Sequence, residues 1–93
     1  MEITVKFFGV LRTLVGITSI DINQEESLSM AELLNIVSKK TDAVLIDKLL
    51  ENGEIKKGTL LLIDGKNVLH LQGLDTLIPS GSSVSFFPPT GGG

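Results

Sequence analysis

The sequence contains no cysteine and only one histidine, His70, among its 93 residues. A chain without cysteine can form no disulfide bond, thiolate metal site or cysteine nucleophile. One histidine cannot build a histidine-based metal cluster. Tryptophan and tyrosine are also missing and the net charge is −3, which argues against nucleic-acid binding, because phosphate contacts need clustered lysine and arginine. We therefore expect no bound metal or cofactor and no nucleic-acid partner.

Long apolar runs are also missing. No stretch approaches the ~20 apolar residues that span a bilayer, and the first residues, MEITVKFF, lack the cationic and apolar segments of a signal peptide. The length predicts one domain with a single modest core. These features predict a cytoplasmic protein without membrane association.

The first half of the chain predicts two strands and two helices. Alternating apolar residues predict a strand over 3–8 and its hairpin partner over 19–22, joined by a connector (9–16) with room for one helical turn. Ser29 and Glu32 form an S-x-x-E capping box ahead of apolar residues at helical spacing. A second helix is predicted over 43–51, with Asp42 as its N-cap and Gly53 beyond its end, followed by a polar loop over 54–58.

The second half predicts further strands. Residues 59–63 form a strand, Asp64-Gly65 is a strong two-residue hairpin signal, and 66–71 return as an outer strand. Residues 74–78 are predicted as a short turn or helix, and 84–87 as the last strand.

This order of elements predicts an α+β fold of the β-grasp, or ubiquitin-like, type. A mixed sheet of four to five strands would pack on one main helix within a domain over residues 1–87. A right-handed crossover would place the last strand beside the first and parallel to it. Residues 88–93 would follow as a flexible C-terminal tail.

The tail, PPTGGG, is suited to entering a narrow pocket. Pro88 and Pro89 cannot donate backbone hydrogen bonds, so they stiffen the exit and end the sheet. Glycine has no side chain to clash and accepts nearly any backbone conformation. Six residues reach roughly 20 Å at about 3.3–3.6 Å each. Thr90, Gly91 and Gly92 would therefore thread into a partner and present the Gly93 carboxylate; the alternative is a terminus without function.

Three segments resemble one known family. The ending FFPPTGGG resembles the F-P-P-x-x-G-G ending of the small subunit of molybdopterin synthase (MoaD) and its ThiS-type relatives, the ubiquitin-like sulfur carriers. Residues 5–16 (VKFFGVLRTLVG) are similar to the family's first strand and arginine-containing connector, and residues 61–81 to its hairpin and following turn. Two positions depart from the pattern: Thr13 stands where many relatives have glutamate, and the turn at 80–83 carries no acidic residue.

The resemblance implies a carrier protein that is not itself an enzyme. A ubiquitin-activating-type enzyme (MoeB/ThiF-like) would use Mg-ATP to adenylate the Gly93 carboxylate, and sulfur would then replace AMP to leave a thiocarboxylate. In molybdenum-cofactor biosynthesis, the tail would enter the large synthase subunit (MoaE-like) and give its sulfur to the pterin precursor.

Strand parity predicts a docking surface beside the tail. Phe8 and Phe87 fall on the face opposite the core, near the ends of two adjacent strands. Two exposed phenylalanines there, next to Pro88 and Pro89, would form an apolar anchor for a partner. The alternative is that a loop covers them. Arg12 would either steer the protein toward an acidic partner or remain a solvated charge.

Other functions stay open on the sequence. Gly93 could be joined to lysines of other proteins, as in a ubiquitin-like modifier, or could deliver sulfur to tRNA thiolation. A thiamine carrier fits less well, because such carriers lack a counterpart of residues 42–58. A plain β-grasp interaction module would not need the last two glycines.

Overall fold

The computed structural model describes residues 2–89, which form one mixed sheet, two small two-stranded sheets and three helices. In chain order the elements are β1 (Glu2–Phe7), α1 (Val10–Val15), β2 (Ser19–Asn23), β3 (Leu28–Ser29), α2 (Met30–Lys40), α3 (Val44–Leu49), β4 (Leu50–Glu51), β5 (Glu54–Ile55), β6 (Leu60–Ile63), β7 (Lys66–Asn67), two 3₁₀ turns (Val68–His70 and Gly73–Asp75), β8 (Leu77–Ile78) and β9 (Ser83–Phe87). Within residues 2–89, no helix has the length and apolar character needed to cross a membrane.

The main sheet has five strands in the order β2-β1-β9-β6-β7. The first strand, β1, pairs antiparallel with β2 and parallel with the last strand, β9, so that Phe7 lies opposite Phe86. The central position of the first and last strands confirms the predicted crossover and the β-grasp fold.

The core lies between this sheet and α2. The inward side chains of β1 and β9 are fully buried, as are Met30, Leu33 and Val37 on α2. The predicted capping box is confirmed: Glu32 Oε1 accepts from the Ser29 N–H at 3.0 Å, and Ser29 Oγ accepts from the Glu32 N–H at 3.2 Å. This cap fixes where α2 begins and therefore how its apolar face meets the sheet.

The predicted helix over 43–51 is wrong at its end. The helix stops at Leu49, and β4 (Leu50–Glu51) pairs antiparallel with β5 (Glu54–Ile55), a segment predicted as loop. Asn52 and Gly53 between them both have positive φ, 53° and 77°. Asn-Gly with two positive φ angles favours a two-residue hairpin, so Gly53 closes a turn rather than capping the helix.

The predicted outer strand over 66–71 is also too long. Only β7 (Lys66–Asn67) pairs with β6. Asn67 Oδ1 accepts from the Leu69 N–H at 3.0 Å and caps a 3₁₀ turn. His70 therefore lies exposed in this turn and not in a strand. Further on, Leu77 and Ile78 form β8, which pairs with β3, where a turn or helix was predicted.

Candidate functional site

The candidate site lies where β9 ends and the tail begins. Because β1 and β9 are parallel neighbours, their C-terminal ends meet at the same edge of the sheet. The pairing continues past the end of β1, since the Phe8 N–H donates to the Phe86 carbonyl at 3.1 Å. This arrangement brings Phe8 beside Phe87 and the following Gly9 beside Pro88.

The two Phe-Phe pairs meet on opposite faces of the sheet. In the core, Phe7 and Phe86 pack edge to face at 6.1 Å between ring centroids. On the outer face, Phe8 and Phe87 stack at 4.2 Å with 11° between their planes. The predicted side-by-side position is therefore confirmed. The prediction that both rings are exposed is corrected: each is half-buried, because each covers a face of the other.

Arg12 extends this stack from α1. Its guanidinium carbon lies 5.0 Å from the centroid of the Phe8 ring, within the range of a cation–π contact. Its Nε donates to the Phe7 carbonyl at 2.8 Å. Arg12 is exposed overall, but these two contacts hold its charge beside Phe8. The sequence singled out Arg12 as a charge and gave no sign of this stack, which depends on the turn between β1 and α1.

An apolar groove adjoins the stacked rings. It has a volume of about 250 Å³ and is lined by Gly9, Val10, Gly58, Leu60 and residues 87–89. Val10 is 60% exposed and Leu60, which pairs opposite Phe87, is 41% exposed. The sequence analysis did not single out Leu60, although the run TLLLI (59–63) has apolar residues at both parities, so one of them had to face outward.

The two prolines pack against the domain. Pro88 is buried and Pro89 half-buried. Pro88 lies close to Gly9, and Pro89 lies close to Gly58. The predicted site residues Thr90, Gly91, Gly92 and Gly93 are outside the described residues, so their roles stay predictions, as does the domain boundary at residue 87.

The charges on the outer face of the sheet are separated along the strands. Lys6 lies near the end of β1 and Arg12 lies beside Phe8, whereas Asp21 lies opposite Thr4 in the middle of β1 and Glu2 lies at its start. Asp21 Oδ1 accepts from the Thr4 hydroxyl at 3.0 Å. Among residues 2–89, no three acidic or histidine side chains are grouped to hold a metal ion. The arrangement offers a partner an apolar patch with basic residues beside it.

The comparisons with known proteins agree with this arrangement. The model of the ThiS family matches residues 5–93. Small archaeal modifier protein 3 of Haloferax volcanii is 34% identical over 93 residues, the full length of both chains. A protein of Archaeoglobus fulgidus provisionally named as a sulfur carrier is 32% identical over 68 residues, 73% of this chain and 77% of its own. A solution structure from Haloferax volcanii is similar with a TM-score of 0.82 at 34% identity, covering 100% of this chain and 87% of that one.

Proposed function

The chain belongs to the ThiS family of small ubiquitin-like carriers and modifiers, and we propose that its Gly93 carboxylate carries sulfur. We propose further that this sulfur serves molybdopterin synthesis, because the ending FFPPTGGG resembles that of the small synthase subunit. The structural observation that supports docking beside the tail is the parallel pairing of β1 with β9. That pairing places an apolar patch with an adjacent arginine where the glycine tail leaves the sheet. A partner that docks on the patch would receive the tail.

The chemistry resides on the terminus. A carboxylate is a poor electrophile until it is activated. Its oxygen would attack the α-phosphorus of ATP, release pyrophosphate and form an acyl-adenylate. A hydrosulfide ion would then attack the carbonyl carbon, displace AMP and leave the thiocarboxylate. The magnesium and ATP would be bound by the activating enzyme. In this proposal the β-grasp domain contributes docking and positioning and supplies no catalytic acid or base, so it acts as a co-substrate that is consumed and recharged.

The patch suggests the chemistry of its partners. Phe8, Leu60 and Phe87 would fill an apolar depression, and Lys6 and Arg12 would face acidic side chains. Two proteins would use this surface in turn in the cytoplasm: an activating enzyme of the MoeB/ThiF type and a large synthase subunit of the MoaE type. Successive use of one surface would require each partner to leave before the next one binds.

The intact mass of the protein from its native cells, purified without reducing agents, tests the proposal. We expect a mass increase equal to the exchange of one oxygen for one sulfur, localised to the C-terminal peptide that contains Gly93. A variant that lacks Gly92 and Gly93 serves as the control and should show no increase. An unshifted full-length protein, after incubation with an activating enzyme, ATP and a sulfur source, would contradict the sulfur-carrier role.

A second candidate is a protein modifier, favoured by the full-length identity of 34% to a protein named as a modifier. Activation of Gly93 would be the same, but a lysine amine would displace AMP and form an isopeptide bond. The same mass experiment separates the two functions. Larger species that carry the C-terminal glycine on lysine would identify a modifier, and failure to form any adenylate would leave only an interaction module.

A further inference from the structure

Two loops that are far apart in the sequence each bring a glycine against one of the two prolines. A Cβ atom built on Gly9 would lie 3.4 Å from Cγ and 3.5 Å from Cδ of Pro88. A Cβ built on Gly58 would lie 3.5 Å from Cβ and 3.7 Å from Cα of Pro89. Pro88 beside Gly9 and Pro89 beside Gly58 are therefore at van der Waals contact distance, and we call this pair of contacts the notch.

Both glycines also have backbone conformations that other residues avoid. Gly9 has φ 59° and Gly58 has φ 89°. Gly58 is the third residue of a turn closed by the Thr59 N–H donating to the Lys56 carbonyl at 3.0 Å. A positive φ at this place in the turn favours glycine or asparagine. The turn thus brings the chain close to Pro89 at a residue that has no side chain to push the proline away.

We propose that Gly9 and Gly58 are positioning residues: they hold Pro88 and Pro89 in the notch and so fix the direction in which the tail leaves the domain. Proline has a fixed φ near −65°, so packing of both rings leaves ψ of Pro89 as the one freely rotating backbone torsion between the packed prolines and residue 90. The direction of the tail would then follow from the orientation of the domain on its partner.

The expected effect on activation rests on the proposed function. It arises because a small rotation at the start of an extended tail displaces its end by several ångströms. Four residues after Pro89 reach about 13 Å when the narrow pocket of a partner holds them extended. A rotation of about 20° at Pro89 would move the end of such a segment by roughly 4 to 5 Å. Misplacement of a reacting group by about 1 Å can lower a rate by about 100-fold. A small displacement of the prolines should therefore slow adenylation of Gly93 even though the docking patch is intact.

The glycines of the chain supply a matched control. In Gly58→Asn, asparagine tolerates the positive φ, but it adds an amide group to a Cβ that already contacts Pro89. In Gly65→Asn, the same residue enters the Asp64-Gly65 turn, where φ is 86° and no described atom lies within 4 Å of the new Cβ. Both variants carry similar backbone strain, and only the first disturbs the notch. Pro89→Ala disturbs the same contact by removing the proline ring. It takes the place of Gly58→Asn if that variant does not fold.

The first measurement uses the free protein. Because the chain has no cysteine, Thr90→Cys accepts a single nitroxide label, and paramagnetic broadening of amide signals maps where the chain goes after Pro89. We expect broadening in the wild type to be concentrated around residues 9–10 and 58–60. Gly58→Asn and Pro89→Ala should spread or shift this pattern, and Gly65→Asn should keep it. An unchanged pattern in Gly58→Asn and Pro89→Ala would overturn the proposed notch.

The second measurement is adenylation by the activating enzyme, with unlabelled variants that retain Thr90. We expect Gly58→Asn to lower kcat by about tenfold or more with little change in KM, because the patch still docks but the terminus is misdirected. Gly65→Asn should match the wild type. A changed broadening pattern in Gly58→Asn together with an unchanged kcat would overturn the positioning role. If the wild type itself is never adenylated, the proposed function fails, and the broadening pattern still decides whether the notch directs the tail.

Discussion

The ring centroids of Phe8, which directly follows β1, and Phe87, which ends β9, lie 4.2 Å apart with 11° between the ring planes. One residue follows the first strand and the other ends the last strand of the sheet, so the pair exists only when the two ends of the domain have come together. The same pairing sets the point from which the tail leaves. The apolar patch and the point where the chain leaves the sheet therefore form in one folding event, and an unfolded chain would have neither.

Replacement of Phe87 by a charged residue should weaken partner binding while the domain stays folded. Phe87→Glu removes one ring of the stack and places a carboxylate at the centre of the apolar patch. We expect Kd for the activating enzyme to rise by about tenfold or more, the loss typical of a central aromatic anchor. Calorimetric titration measures this change, and circular dichroism checks that the fold remains.

The matched control for this change is Ser85→Glu. Ser85 lies two residues earlier on the same face of β9 and is also half-buried, so the variant adds the same charge without removing a ring. It should bind more tightly than Phe87→Glu. Equal affinities for Phe87→Glu and the wild type would show that the stack is not an anchor.

Arg12 should act both through its contacts with the domain and through its charge, and two substitutions separate these roles. Lysine keeps the charge but cannot reproduce both the bond from Nε to the Phe7 carbonyl and the planar contact with Phe8. We expect Arg12→Lys and Arg12→Ala each to lower the free energy of unfolding by about 0.5–1 kcal/mol. Urea unfolding measures this loss.

The association rate reports the charge of Arg12. Arg12→Ala should slow association with an acidic partner at low salt, and Arg12→Lys should associate at nearly the wild-type rate. The difference should shrink as salt is added, because exposed charges are screened. A salt-independent difference would argue for a direct packing role of the guanidinium in the complex.

Asp64 should stabilise the start of β9. Its N–H donates to the Ser83 carbonyl at 2.8 Å, and its Oδ1 accepts from the Ser83 N–H at 2.9 Å. Asp64 also has a positive φ of 50°. Alanine would lose the side-chain bond and adopt this conformation less readily, so Asp64→Ala should lower the free energy of unfolding by about 1–2 kcal/mol.

The conservative variant tests this explanation. Asp64→Asn keeps a side-chain oxygen and the tolerance for positive φ, so it should lose less than half as much stability as Asp64→Ala in the same urea experiment. If both variants lost the same amount, the negative charge itself, and not the bond geometry, would be responsible.

Local sequence patterns predicted the elements that depend on near neighbours. The capping box at Ser29 and the turn at Asp64-Gly65 are set by side chains and backbone within a few residues, and both are present in the structure. The same approach failed at Asn52-Gly53. Gly53 fitted both a helix C-cap and a hairpin turn, and the pairing of Leu50–Glu51 with Glu54–Ile55 decided between them.

The prediction of an outer strand over 66–71 was wrong for a related reason. Apolar residues there fit a strand, but Asn67 begins a 3₁₀ turn that buries Val68 and leaves Leu69 and Leu71 exposed. Which of these apolar side chains is buried depends on where the core lies, and a short apolar segment of sequence does not specify that position.

The sequence by itself determined the β-grasp order of the main elements, which side chains of β1 and β9 face the core, and the end of the last strand at Phe87, because strand alternation, helix caps and prolines act over a few residues. Only the tertiary structure decided that Arg12 covers Phe8, that Leu60 lies opposite Phe87 and that Gly58 meets Pro89. These contacts join residues that are close in space through the pairing of β9 with β1 and β6. Their existence depends on where distant strands meet, and no local pattern specifies that.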